Sequence, residues 1–197
     1  ITYANIDQFD PRIDTPPVGD RSELDRWIIS ELNSLVLDVS GALDSYDPDA
    51  AARSVENFVD YLSNWYVRRS RRRFWKSGIL GEPETGVDDD KLYAYVTLYE
   101  CLTTLAKLIA PIMPFVAESM YQNLVRTFGL GRESVHLETY PSGNETLVDQ
   151  KLSDATRLAM RISSLGRAAR SKAGIKVRQP LGQALVKLKS REEEMLK

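Results

Sequence analysis

Residues 64–75 read Asn-Trp-Tyr-Val-Arg-Arg-Ser-Arg-Arg-Arg-Phe-Trp, placing five arginines and two tryptophans within one helix-length segment. Arginine offers phosphate a planar fork of donors, and its flat face stacks on bases or aromatic rings. Wound at about 100° per residue, the segment puts Asn57, Tyr61, Asn64, Arg68, Arg71 and Trp75 on one side. Arg72 lies at the edge of that side. A face that is polar, cationic and aromatic together suits unpaired nucleotides, with Arg68 and Arg71 on phosphates and Trp75 or Tyr61 under a base. The plainer reading is a solvated helix end whose arginines pair with carboxylates. Arg69 and Arg73 continue the line of the apolar stripe, so bridges to acids on a neighbouring helix or on an absent neighbouring domain are expected of these two.

A second basic stretch strengthens the phosphate reading. Residues 157–178 hold Arg157, Arg161, Arg167, Arg170, Lys172, Lys176 and Arg178 and no acid, while residues 53–76 carry a net charge of plus five. Because the whole chain stands at −2, the remainder is acidic by about fourteen charges, and phosphate would be drawn to the basic stretches alone. Arg157, Arg161, Arg167, Arg170 and Lys172 are therefore candidate contacts beside Asn64, Arg68, Arg71, Arg72 and Trp75. Catalytic and metal chemistry have little to work with. His136 is the only histidine and Cys101 the only cysteine, which excludes an internal disulfide and a multi-cysteine zinc site. Asp88, Asp89 and Asp90 lack the glycine and distal Glu of a calcium loop, so they read as solvated acids. Cys101 reads as a core filler.

These residues need rigid elements to hold them. Ser22, with Asp25 three positions on, opens a helix whose apolar stripe (Leu24, Trp27, Ile28, Leu32, Leu35, Val36, Val39, Leu43) runs to about Ser45. Asp47-Pro48-Asp49 opens a second helix, with Val55, Phe58, Val59, Leu62, Trp65 and Tyr66 on its core side leading into the arginines. Gly78 to Asp90 reads as an exposed acidic connection. A third helix, from Leu92 to Ile109, is bent or restarted by Pro111 and Pro114. It continues amphipathically to Phe128, and Gly129 to Pro141 is a loop. A further helix spans roughly Thr146 to Ser171, and the pattern after Gly174 suits a strand or hairpin.

The predicted fold is therefore all-α, an antiparallel bundle of four to five long helices with a short C-terminal strand or hairpin extension. Residues 1–20 read as an incoming linker laid over the surface, 21–172 as the helical domain, and 173–197 as the start of an appendage. Starting at Ile1 and stopping in a charged, helix-forming stretch, the 197 residues look like an excised piece. No apolar run reaches the roughly 18–20 residues that span a bilayer and no secretory signal opens the chain, so the cytosol is expected.

The segment 64–75, together with Leu108-Ile109-Ala110-Pro111-Ile112-Met113-Pro114-Phe115-Val116-Ala117-Glu118, Glu133-Ser134-Val135-His136-Leu137 and Lys176-Val177-Arg178-Gln179-Pro180-Leu181, resembles the anticodon-binding region of the isoleucyl-tRNA synthetases. The likeness covers essentially the whole chain. The proline-rich stretch is common to class I synthetases for branched aliphatic amino acids, whereas the arginine segment and Lys176–Leu181 resemble the isoleucine enzymes, especially eukaryote-like bacterial ones. Tyr140 departs from the pattern, since relatives more often have tryptophan before the proline at 141. The resemblance implies an all-α anticodon-binding domain, tRNA(Ile) as partner, and docking to a catalytic domain of the same polypeptide. It implies ATP and Mg for the full-length ligase and no cofactor in this piece. The family's two catalytic signatures, a histidine pair and a lysine loop, are absent here, so the piece alone is expected to catalyse nothing. The rivals are a valyl or other aliphatic synthetase and, outside this class, a bundle whose arginines dock an acidic protein.

Overall fold

The computed structural model describes residues 2–76 and 89–187, and among them every regular element is helical, as the sequence predicts. Of the acidic connection expected over Gly78 to Asp90, residues 78–88 lie outside the described residues, as does the last part of the expected C-terminal extension, whereas Asp89 and Asp90 are helical and begin the helix expected from Leu92. The chain divides into two compact units, Ile1–Val148 and Asp149–Lys197.

In the first unit, α1 (Thr2–Ile6) is followed by the long helix α2 (Glu23–Asp44). Ser22 caps α2 as predicted, its hydroxyl accepting from the Asp25 amide at 3.3 Å. The single-stripe expectation for α2 is too narrow. Residues Trp27 to Leu32 are all buried, Ser30 and Glu31 included, because α2 packs on α3 (Pro48–Asp60), the π-helical stretch after it, and α5 (Asp89–Ile109). The link to α3 is short. Tyr46 turns it with a left-handed backbone, and Asp47 accepts from the Ala50 amide at 3.0 Å.

The second rod departs from α-helical winding. Between α3 and α4 (Arg68–Phe74), residues Tyr61–Val67 wind as a π-helix. Five of the buried positions along the rod, Phe58, Leu62, Tyr66, Ser70 and Phe74, fall in a repeat of four. In a pure α-helix each step of four advances about 40° past a full turn, so five such positions would spread around the rod. The wider i→i+5 turns remove that drift and hold the repeat on one side. Val59, expected inside, is 40% exposed, and Trp65, also expected inside, is only half-buried.

Helix α5 ends before Pro111, and α6 (Pro114–Leu124) restarts behind it with proline in its first turn. The loop after α6 is tied down by Glu138, which accepts from Lys107 Nζ at 2.8 Å, the Arg132 amide at 2.9 Å, and the Tyr121 hydroxyl. Tyr140 finds a place for its own hydroxyl, donating to the Leu108 carbonyl at 3.1 Å. Cys101 is fully buried, as expected of a core filler.

In the second unit, α7 (Gln150–Lys172) is capped by Asp149, which accepts from the Leu152 amide at 2.9 Å. Beyond Gly174, residues 175–187 form turns and irregular chain. The predicted strand or hairpin is not formed among the described residues there, since Arg170 instead holds the chain in a turn through the Lys176 and Gln179 carbonyls, at 3.0 and 2.7 Å.

Candidate nucleic-acid interface

Four of the five clustered arginines, Arg68, Arg69, Arg71 and Arg72, project from α4 or its first residue into solvent. None of the four forms an ion pair with a carboxylate among the described residues. Arg71 lies over the Trp75 ring, its guanidinium carbon 5.2 Å from the centroid, and Arg69 lies over Trp65 at 4.8 Å. Such stacking flattens each guanidinium against an indole and leaves its edge donors available. Trp75 stays 57% exposed. Asn64 is exposed and donates to Asp60 one turn back. Tyr61, expected on this face, is half-buried because its ring meets that of Trp27 at 5.9 Å.

Arg73 does the opposite. Its guanidinium turns inward to Asp25, which is 0% exposed, with Nη1 donating to Oδ1 at 2.7 Å and Nη2 to Oδ2 at 2.6 Å. Tyr66 donates its hydroxyl to Asp25 at 2.6 Å, and Ser22 donates to the other oxygen at 2.7 Å. Arg73 Nη2 also reaches Asp90, at 2.8 Å to the carboxylate and 2.9 Å to the carbonyl. Burial would raise the Asp25 carboxyl, yet the hydrogen bonds from Arg73 and Tyr66 and the charge of Arg73 hold it below its ordinary value. Burial, and then the Asp25 charge, push the Tyr66 phenol well up.

The bridge to an acid expected of Arg73 is thus present, whereas Arg69 is stacked outside. Arg69 meets no carboxylate among the described residues and lies over Trp65 instead. Asp90, read from the sequence as solvated, is an ion partner of Arg73 and lies 3.6 Å from Lys76. From the sequence, Asp25 shows only as part of a helix start. The signal that marks it is a carboxylate in the first turn just before a wholly apolar patch, where an acid needs a partner to be buried. Buried Lys91 carried no such signal.

In the second unit, Arg167 and Lys172 are exposed on α7. Arg157 is 3.7 Å from Asp154, one turn back, and both it and Arg161 are engaged by other groups. Arg170 is occupied by the two carbonyls of the following turn. His136 sits exposed on a single helical turn, its amide donating to Ser134. No group of three His, Cys, Asp or Glu comes together among the described residues in a way that could hold a metal ion. No helix among them is long and apolar enough to cross a membrane.

Residues 25–186 match the family described as the anticodon-binding domain of tRNA ligase. An isoleucine-tRNA ligase of Dehalococcoides mccartyi strain CBDB1 is 56% identical over 194 residues, which cover 98% of this chain and 18% of that protein. Relatives of the same name occur in Clostridium acetobutylicum, at 45% identity over 96% of this chain and 18% of the relative, and in Thermobifida fusca, at 49% over 88% and 15%. The chain thus spans about a fifth of the length of these relatives.

Proposed function

The chain belongs to the family of anticodon-binding domains of tRNA ligases, and from that membership we propose that it grips the anticodon stem-loop of tRNA(Ile) within a longer isoleucine-tRNA ligase. The observation that carries this reading is the contrast along one helix: Arg73 turned inward to Asp25, with Arg68, Arg69, Arg71 and Arg72 left open beside an exposed Trp75. Open guanidiniums next to an indole suit a phosphate backbone with unstacked bases. In the first unit Arg68, Arg71, Arg72, Trp75 and Asn64 are the RNA contacts. In the second unit, taken by itself, Arg167 and Lys172 are contacts, and Arg157, Arg161 and Arg170 join them by exchanging their present partners for phosphate.

In this reading α2, the α3–α4 rod, α5 and α6 are the antiparallel rods of the bundle. Residues 1–20 lead into an RNA-binding domain over 21–172, and 173–197 begin an appendage. Joining isoleucine to tRNA with ATP and Mg, in the cytoplasm, falls to other parts of the longer polypeptide, and no step of that chemistry is assigned to residues of this chain.

A fluorescence titration with an isoleucine anticodon stem-loop and a mismatched control, at two salt concentrations, tests the proposal. Neutralising four to six phosphates gives a slope of log affinity against log salt of about −3 to −5. A flat response overturns the proposal in favour of docking to an acidic protein, and equal affinity for the control overturns the isoleucine assignment.

A further inference from the structure

The last turn of α4, which carries Arg71 and Arg72 and leads into Trp75, is held from beneath by residues that never reach its outer face. Lys91, in the first turn of α5, is 1% exposed, and its ammonium donates to the Lys76 carbonyl at 2.8 Å. A cation there meets the negative end of the helix dipole and satisfies a carbonyl that has no intrahelical partner. A buried ammonium needs an anion beside it. Asp7, just beyond α1, lies 2.7 Å from Lys91 Nζ and also accepts from the Tyr95 hydroxyl at 2.5 Å. Two residues on, Phe9 is buried with its ring stacked on Tyr95 at 5.4 Å, and Tyr95 in turn meets Phe74, the final residue of α4, at 5.0 Å.

We propose that Asp7 and Phe9 of the entering segment are positioning residues for the RNA-facing turn of α4, acting through Lys91 and through Tyr95. This inference rests on the RNA-binding reading above. The physical cause is the state of Lys91. Without the Asp7 charge, one of the anchors that fixes its buried ammonium is lost, and the bond to the Lys76 carbonyl that ends the turn is held less firmly. Residues 1–20 are thus more than a linker laid on the surface. Their seating decides where Arg72 and Trp75 point.

The test compares Asp7→Asn, Asp7→Glu and Phe9→Ala with the wild-type chain, binding an anticodon stem-loop at a temperature where circular dichroism reports each as fully folded. Asp7→Asn should weaken binding about three- to fivefold, the worth of one exposed ionic contact. It should also make the salt slope shallower by about one. Asp7→Glu should restore most of the slope, and Phe9→Ala should weaken binding without restoring it. A purely structural role would lower the melting temperature and leave affinity and slope per folded molecule unchanged, which overturns the proposal. Arg68→Ala with Arg71→Ala serves as the control that separates the two failures. If that pair loses affinity while the Asp7 and Phe9 variants do not, the positioning role alone falls. If neither changes affinity, the RNA reading falls with it.

Discussion

Removing either partner of the buried Asp25–Arg73 pair should be among the most damaging single changes to this chain. Asp25 receives four hydrogen bonds, two from Arg73 and one each from Tyr66 and Ser22, so it joins the start of α2 to the π-helical stretch and to α4. Arg73→Met leaves a carboxylate with no counter-ion in a site closed to water, and the cost of breaking such a pair is about 3–5 kcal/mol. For a chain of this size, 1 kcal/mol moves the midpoint by roughly 2–4 °C, so the melting temperature should fall by about 6–20 °C. Asp25→Asn keeps the shape and removes the charge, and should cost less, because Arg73 still has the Asp90 carboxylate at 2.8 Å. The double variant leaves no charge stranded, so the two losses should fail to add by about 1–3 kcal/mol. Urea unfolding followed by circular dichroism and tryptophan fluorescence measures all four proteins. Losses that add to within about 0.5 kcal/mol would refute the claim that these groups act as a pair. The pH dependence gives a second reading. Asp25 is held below its unfolded value, so its contribution is complete above about pH 4 and disappears as pH falls through the folded value, and Asp25→Asn should flatten that part of the stability profile.

Other expectations follow from single sites. Gly131 has φ +61°, and a β-carbon there would lie 2.2 Å from the Tyr121 hydroxyl, so Gly131→Ala should cost about 1–2 kcal/mol for the left-handed backbone and more for displacing Tyr121, read by urea midpoint. Glu138, held at about 2 by Lys107 and then by Tyr121, should supply stability that is present above about pH 5 and lost toward pH 2, and Glu138→Gln should remove that acid limb in thermal melts. Arg68→Ala with Arg71→Ala should reduce the salt slope of RNA binding by about two without shifting the melting curve, as a titration at several salt concentrations would report. Cys101 is buried and its thiol pushed well up by that burial, so a thiol reagent at pH 8 should label it only as fast as the chain opens, and prompt labelling would contradict its place in the core.

The helix starts at Ser22 and Asp47, the restart at Pro114 and the concentration of arginine over residues 68–73 were legible in the chain itself. Each depends on groups within about one helical turn of one another, where caps, proline geometry and charge act without help from the rest of the fold. The family resemblance was legible for the same reason, because it rests on contiguous motifs. Which arginine faces inward was not decided locally. Arg73 is buried because Asp25 waits 48 residues away, and Arg69, one turn before it, is exposed and lies over Trp65. Lys91 could be buried only once Asp7 and the Lys76 carbonyl had been brought to it, and of Trp65 and Tyr66, both expected on the core side, only Tyr66 is fully buried. Local chemistry chose the rods and their cationic content, while the decision of which charges meet water belonged to contacts between distant segments, because a buried ion is stable only where its partner has already been delivered.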